Sequence, residues 1–397
     1  MNLKTRYMEI ILHVVMNIQE GESLSINTNP GHYDFAQELA ELAAETTLQP
    51  VNIVVITEGK PGDVISINPT LHELLSTPPI RAILLRLDDT EDREWNFSAD
   101  PNEIIKQPAL LQKTGNLAPP QLDVQIAPWS IVPVPGLIWA HRLLGPRATE
   151  QDLYHQFAKI FMLSEENPQQ AWKEHAALID SRLAAINRLD ISHLIMTTEA
   201  GTNLKLSAVE ESRWRGGVRK LPNGRAFLPQ IPLNRISMLA NRVMTEGVVY
   251  SSKPFPLLGG QVEGARLEFS HGSVVSFSAE KGEHLLSLAL SVDEGARKLG
   301  ECSLVDQNTP LTELADFFGY VGFDENALTS LTLGMGEAYH LEALDTYTDE
   351  FELQEKTGCN VSSIRFRLPI GDDQLSVVAH KTDGTTITIM ENGAFLL

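Results

Sequence analysis

The residues of this chain whose types could do chemistry gather toward its C-terminal end. Four places stand out: Glu301 in LGECSLV, Asp324-Glu325-Asn326 in GFDENA, Glu337 and Tyr339 in GMGEAYH, and Arg365 with Arg367 in VSSIRFRLPIG. Arg365 and Arg367 are two apart in a predicted strand, so they share one face, and by themselves they read as a solvated edge. Asp324-Glu325-Asn326 stands before an apolar helix expected through ENALTSLTLG. It reads as an N-cap with acidic residues at the positive end of the helix. Glu301 sits beside an apolar run and is either a surface glutamate or a partly buried one with a partner. His284, on an apolar predicted helix, reads as a packed or half-exposed side chain rather than a ligand. Gly334 and Gly336 lack a phosphate-loop pattern and read as turn residues. No HEXXH helix, GxSxG elbow, Walker loop or calcium loop occurs.

The elements that must position these residues change character along the chain. LSIN, VNIVVI, AILLRL and WSIVPVP are predicted strands, with a helix over DFAQELAELAAE. Two further helices run through TEQDLYHQFAKIF and PQQAWKEHAALIDSRLAAINRL. Apolar strands alternating with helices predict a mainly parallel sheet covered on both faces. A polar loop is expected from Asp88 to about Asp100. From about His193 the texture becomes strand and turn: HLIMTTE, TNLKLSA, GVVYSS, ARLEFSHGSVVSFSAE and TTITIMENGAFLL, joined by turns such as His271-Gly272, Asp383-Gly384 and Asn392-Gly393. A helix is expected around GEHLLSLALSVDEGARKLG. The expectation is an α/β domain over 1–188 and an α+β domain with much antiparallel sheet over 189–397.

Composition excludes several partners. The 397 residues carry a formal net charge of −21, which repels phosphate backbones and anionic membrane faces, so neither nucleic acid nor membrane is an expected partner. The two cysteines, Cys302 and Cys359, make no disulfide framework, and a cysteine in an apolar stretch such as Cys302 reads as core. The N-terminal MNLKTRYMEIILHVVMNIQEGE fits an amphipathic helix better than a signal peptide, and no run approaches the roughly 18 apolar residues of a spanning helix. A cytoplasmic location is the expectation.

Taken together, IQEGESLSIN, APWSIVPVPGLIWA, ENPQQAWKEH, SAEKGE, DEGARKLGE and GFDENA, in that order, resemble the thermophilic-type metallo-aminopeptidases, the aminopeptidase T and aminopeptidase S group. The resemblance implies an α/β N-terminal domain, a C-terminal catalytic domain and a homodimer enclosing its active sites. It also implies two divalent metals held by acidic and histidine side chains. Two such metals bridge a hydroxide and polarise the scissile carbonyl. This sequence departs from the pattern at the ligand positions. The family's two glutamates after an Ile-Pro dipeptide are met here by Asn234 and Arg235. The glutamate closing LGE survives as Glu301. The histidine after FDENA is replaced by Ser330, and the histidine and aspartate two apart in a strand are replaced by Arg365 and Arg367. The family's tyrosine corresponds to Tyr339, the candidate catalytic residue.

Arginine offers only donors and cannot ligate a metal. The leading expectation is therefore a metal-free pseudo-enzyme with no cofactor, its guanidinium groups pairing with Glu301 and with Glu337 or Asp324. Glu301, Arg365, Arg367, Arg235, Ser330 and Asn234 are the candidate ligand-binding residues, suited to a small anionic or peptide ligand. The alternatives are an active aminopeptidase using two divalent ions (Zn, Co or Mn) through other ligands, with His271, His284, His340 and Asp306 as spares, and a purely structural dimer.

Overall fold

The computed structural model describes residues 2–47, 51–56, 64–65, 82–88, 99–114, 128–221, 223–314, 318–337, 340–341 and 350–397. Tyr339 and most of the expected polar loop lie outside these residues. Two compact units emerge. One comprises Met1–Asp92, Val124–Leu178 and Gly217–Leu233, and the other Arg93–Asp123, Ile179–Gly216 and Asn234–Leu397. This partition is discontinuous along the chain, whereas the sequence suggested two continuous stretches.

The first unit is built on a sheet in which Asn52–Ile56, Ser23–Thr28, Ala82–Asp88 and Trp129–Pro133 pair in parallel, with the short Val64–Ile65 antiparallel at one edge. The helix Tyr33–Thr47 buries Phe35, Ala36, Leu39, Ala40 and Ala43, spaced to form one apolar stripe. Asn29 caps the short turn before it, its side chain accepting from the His32 N–H. The N-terminal segment is helical, as its amphipathic pattern suggests: Leu3–Ile10 followed by a wider turn over Ile11–Val15, burying Tyr7, Ile10, Ile11 and Leu12.

The second unit is organised by one antiparallel sheet of twelve strands among the described residues. Its longest strand, Ile236–Tyr250, pairs near its start with Leu299–Leu304 and near its end with Arg266–Ser270. The turns expected at His271-Gly272, Asp383-Gly384 and Asn392-Gly393 each close a hairpin. At His271-Gly272 and Asn392-Gly393 both residues have positive φ, the geometry that suits two-residue hairpins.

Two expected helices are shorter than foreseen. The first stops at Ala289, and the strand Leu299–Leu304 begins inside the stretch expected to be helical. The second covers only Val321–Ala327, and Ser330–Gly334 is a strand. The reason is visible in SLTLG: Ser330 and Thr332 alternate with Leu331 and Leu333, a period of two rather than 3.6. The Asp324-Glu325-Asn326 run therefore lies inside a short helix whose N-cap is Tyr320, not ahead of a long one.

Four adjacent strands carry the candidate residues: Ile236–Tyr250, Leu299–Leu304, Ser330–Gly334 and Arg365–Pro369. Register places Glu301 opposite Thr332 and Thr332 opposite Arg367. Alternation then sorts the side chains. Ile236, Met238, Cys302, Leu304, Leu331, Leu333, Phe366 and Leu368 belong to the hydrophobic core. Ser237, Glu301, Ser303, Ser330, Thr332, Arg365 and Arg367 share the other face.

One extra residue makes this sorting possible. The pairing shifts between Leu299 and Glu301, a bulge at Gly300. Without it, Glu301 would point to the same side as Leu299, into apolar packing. A Cβ at Gly300 would meet the Gly334 carbonyl oxygen at 2.4 Å and the Gly336 backbone nitrogen at 2.5 Å. Gly334 and Gly336 thus serve close backbone approach as well as turning the chain. The prediction is that Gly300→Ala destabilises the protein by about 2 kcal/mol or more, because rigid backbone must move on two sides. Urea titration followed by circular dichroism checks it; an unchanged midpoint would contradict the bulge argument.

Candidate functional site: a buried arginine and glutamate network

Glu301 lies at the centre, with 0% of its surface exposed. A carboxylate removed from water needs paired charge or several donors. Its Oε1 accepts from Ser303 Oγ at 3.0 Å and from Arg235 Nη1 at 3.2 Å. Its Oε2 lies 3.6 Å from Arg365 Nη2, an ion-pairing distance, and 3.8 Å from His340 Nε2, beyond hydrogen-bond range. Burial acts to raise the Glu301 pKa, but Arg235, His340 and Arg365 together outweigh it and hold the carboxyl well below the usual range.

Two further carboxylates complete the network. Arg235 Nη1 also lies 3.2 Å from Glu325 Oε2, and Arg367 Nη2 pairs with Glu325 Oε1. Arg365 Nη1 donates to Glu337 Oε1 at 2.8 Å. Burial works against the charged form of Glu337, yet Arg365 holds its pKa below the ordinary value. Burial likewise opposes the charge on Arg365, but Glu337 and Glu301 raise its pKa above the usual one. Arg367 is different. Burial dominates there, Glu325 compensates only in part, and its pKa is pushed down to about 10.

Local structure fixes these positions. Asn326, 1% exposed, accepts on Oδ1 from the backbone N–H groups of Asn234 at 2.7 Å and Arg235 at 2.9 Å. Its Nδ2 donates to the Gly322 carbonyl. The helix Val321–Ala327 thereby anchors the backbone from which Arg235 projects. Asn234 contributes an amide rather than a charge, its Nδ2 donating to the Asn326 carbonyl at 3.2 Å. His340 is fully buried, with Nδ1 3.1 Å from the Arg213 carbonyl oxygen and Nε2 3.3 Å from Ser237 Oγ. A proton on Nδ1 satisfies the first contact.

Several expectations can now be placed. Arg235, Arg365, Arg367, Glu301 and Glu337 are brought together, with Ser330 on the same sheet face. The arginines are not a solvated edge: Arg365–Pro369 is an edge strand, but Arg365 is buried and Arg367 is closed in by Glu325. Asp324 points elsewhere, its Oδ1 accepting from the Phe318 N–H. Glu325, read from sequence only as part of a cap, is the carboxylate that joins two arginines. Of the spare ligands, His271 and His284 are exposed, Asp306 pairs with Arg182 at 2.8 Å, and only His340 reaches the network. Burial pushes the Cys302 thiol up and leaves it an inert core side chain. Among the described residues, no group of three or more His, Cys, Asp or Glu side chains is arranged to hold a metal ion, and no helix is long and apolar enough to cross a membrane.

The thermophilic metalloprotease (M29) family model matches residues 2–395. The chain belongs to the M29 family. Aminopeptidase T of Thermus aquaticus is 31% identical over 272 residues, 68% of this chain and 65% of that protein, so the alignment spans about two thirds of the relative. Aminopeptidase 2 of Geobacillus stearothermophilus is 27% identical over 402 residues, 98% of this chain and 96% of that protein. Wild-type AmpT from Thermus thermophilus superposes with a TM-score of 0.80, covering 100% of this chain and 99% of that one at 24% identity, which establishes a shared fold. The dihydroxypyridine dioxygenase of Pseudomonas putida also matches, with a TM-score of 0.55 at 10% identity over 99% of this chain and 96% of that one. A common scaffold thus hosts unlike chemistries, and activity must be argued from the site.

The electrostatics predict a pH dependence. A carboxylate whose folded pKa is depressed contributes stability that is complete above its unfolded value near 4.3 and is lost as pH falls through the folded value. Glu301→Gln removes the central charge and leaves buried guanidinium groups undercompensated, a loss of about 3–5 kcal/mol at neutral pH. The difference from wild type should shrink on acidification below about pH 4.3. Thermal melts between neutral and strongly acid pH check this; a constant difference would show that folding does not lower the Glu301 pKa.

Proposed function

We propose that this M29 protein is a metal-free pseudo-peptidase, in which guanidinium groups do the electrostatic work that divalent cations do in the aminopeptidases. The observation that carries the reading is the contact of Arg235 and Arg365 with the two oxygens of Glu301. Glu301 is the ligand position that survives from the family pattern, and both its oxygens already face fixed cations. A dinuclear centre would need several anionic or neutral-imidazole ligands at short range. Here Glu301, Glu325 and Glu337 are matched in number by Arg235, Arg365 and Arg367, all within one network. Adding dications would leave a large uncompensated positive charge in a low-dielectric site. The residues present do not fit two metals, and no hydrolytic step is derived through them.

In this reading the protein acts by binding, with a small anionic or peptide ligand held where substrate would sit. It keeps the homodimer that the family resemblance implies and the cytoplasmic location expected from the sequence. The relatives' peptidase activity does not follow from the shared fold, because five ligand positions differ and fold alone does not bring chemistry.

Metal analysis of protein purified without chelators is the decisive measurement. The expected outcome is well below one divalent ion per chain and no release from a panel of aminoacyl chromogenic substrates with added cobalt, zinc or manganese. Two tightly bound divalent ions per chain, or metal-dependent turnover, would end the reading.

A further inference from the structure

The polar sheet face is fully charge-paired at one end and under-supplied with partners at the other. Thr332, 0% exposed, and Ser330, 3% exposed, have buried hydroxyl oxygens with no hydrogen-bond partner. Arg367 Nη2 meets Glu325, but Nη1 is buried with no partner. These three groups are neighbours by construction. Thr332 lies directly opposite Arg367 across the strand pair, and Ser330 is two residues from Thr332 on the same face. Buried polar atoms are normally satisfied, so three orphans in one patch call for an occupant.

The chemistry of the three selects what it would be. Two hydroxyls can each donate, and the guanidinium offers only donors, so these three groups present donors to an acceptor; Glu301 Oε2, opposite Thr332 on the facing strand and likewise without a hydrogen-bond partner, is the acidic edge of the patch. Among the described residues its cation is also the least compensated of the three arginines: Arg365 meets two carboxylates and Arg235 meets two, whereas Arg367 meets Glu325 alone. Burial without full compensation is the cause of the lowered Arg367 pKa, in contrast to the raised one of Arg365. An apolar guest would leave all three groups unsatisfied, and a cation would face Arg367. A water molecule would satisfy the hydroxyls but would bring no charge to the singly paired Arg367. The Arg367 side chain keeps 17% of its surface exposed and Glu337 keeps 26%, so solvent reaches the rim of the network.

We propose that Ser330, Thr332 and Arg367 form an oxyanion-binding site for a small carboxylate or phosphate group. The site deepens the metal-free reading and rests on it, because a bound dication would compete for the same charges. The carboxylate would come from an amino acid or peptide C-terminus, the phosphate from inorganic phosphate or a small phosphoryl metabolite. Each fits the donor set, since either can accept a charge-assisted hydrogen bond from Arg367 Nη1 and further bonds from the two hydroxyls.

Isothermal titration of the intact protein with acetate, glycylglycine and inorganic phosphate, each at millimolar concentration in a chloride buffer, tests the site and separates the two sources. Saturable binding of one of these anions by wild type is expected. Thr332→Val conserves volume and leaves the ion pairs untouched; it should weaken that binding about tenfold. Ser330→Ala should act in the same direction, which keeps the test valid if either variant folds poorly. Arg367→Lys keeps a positive charge beside Glu325 but loses the planar fork, and should weaken binding while far-ultraviolet circular dichroism stays native. Absence of binding by all three anions, or binding unaffected by both hydroxyl deletions, overturns the site. Metal analysis on the same sample keeps the two ideas apart: two bound dications would remove the metal-free reading, whereas absent metal with absent anion binding removes only the oxyanion site.

Discussion

Burying Glu301 is the constraint from which the rest of the second unit's polar architecture follows. An isolated ionised carboxylate in an apolar interior costs far more than a domain's net stability can supply. It persists here because Arg235, Arg365 and His340 converge on it from other segments and Ser303 from its own strand. Each of those elements needs its own support. Asn326 holds the backbone before Arg235, the Gly300 bulge aims Glu301, and strand pairing sets Arg365 and Arg367 on the same face. Charge satisfaction and strand register are therefore one problem with one solution. A buried ion pair of this kind is weak evidence for added stability, but removing one member of it is severe.

Much of the fold was legible in the sequence because burial writes itself as periodicity. The apolar runs VNIVVI and AILLRL declare strands, and the hairpin turns in the second half follow from His-Gly, Asp-Gly and Asn-Gly pairs. Helix ends were harder. SLTLG was absorbed into a preceding helix because its alternation is short and all five residues are buried, which blurs the contrast between inside and outside. The true signal was the serine and threonine two apart between leucines.

At the site, residue types carried some information and geometry carried the rest. Arg235, Arg365 and Arg367 were singled out by departure from the family pattern, and the guanidinium group's lack of any acceptor directed attention to nearby carboxylates. Which carboxylates could not be read. Asp324 and Glu325 are adjacent and chemically alike, yet one serves the Phe318 backbone and the other joins two arginines. Only the rotation of a seven-residue helix separates those roles. Thr332 was invisible for a different reason: an uncharged side chain in a strand carries no mark of the charge beside it.

The matched set of three acids and three bases has an evolutionary corollary. Replacing any one member strands its counterpart in the interior, so single substitutions are strongly disfavoured while compensated pairs are tolerated. A sequence holding this arrangement cannot easily leave it one codon at a time, a ratchet whose teeth are the salt links themselves.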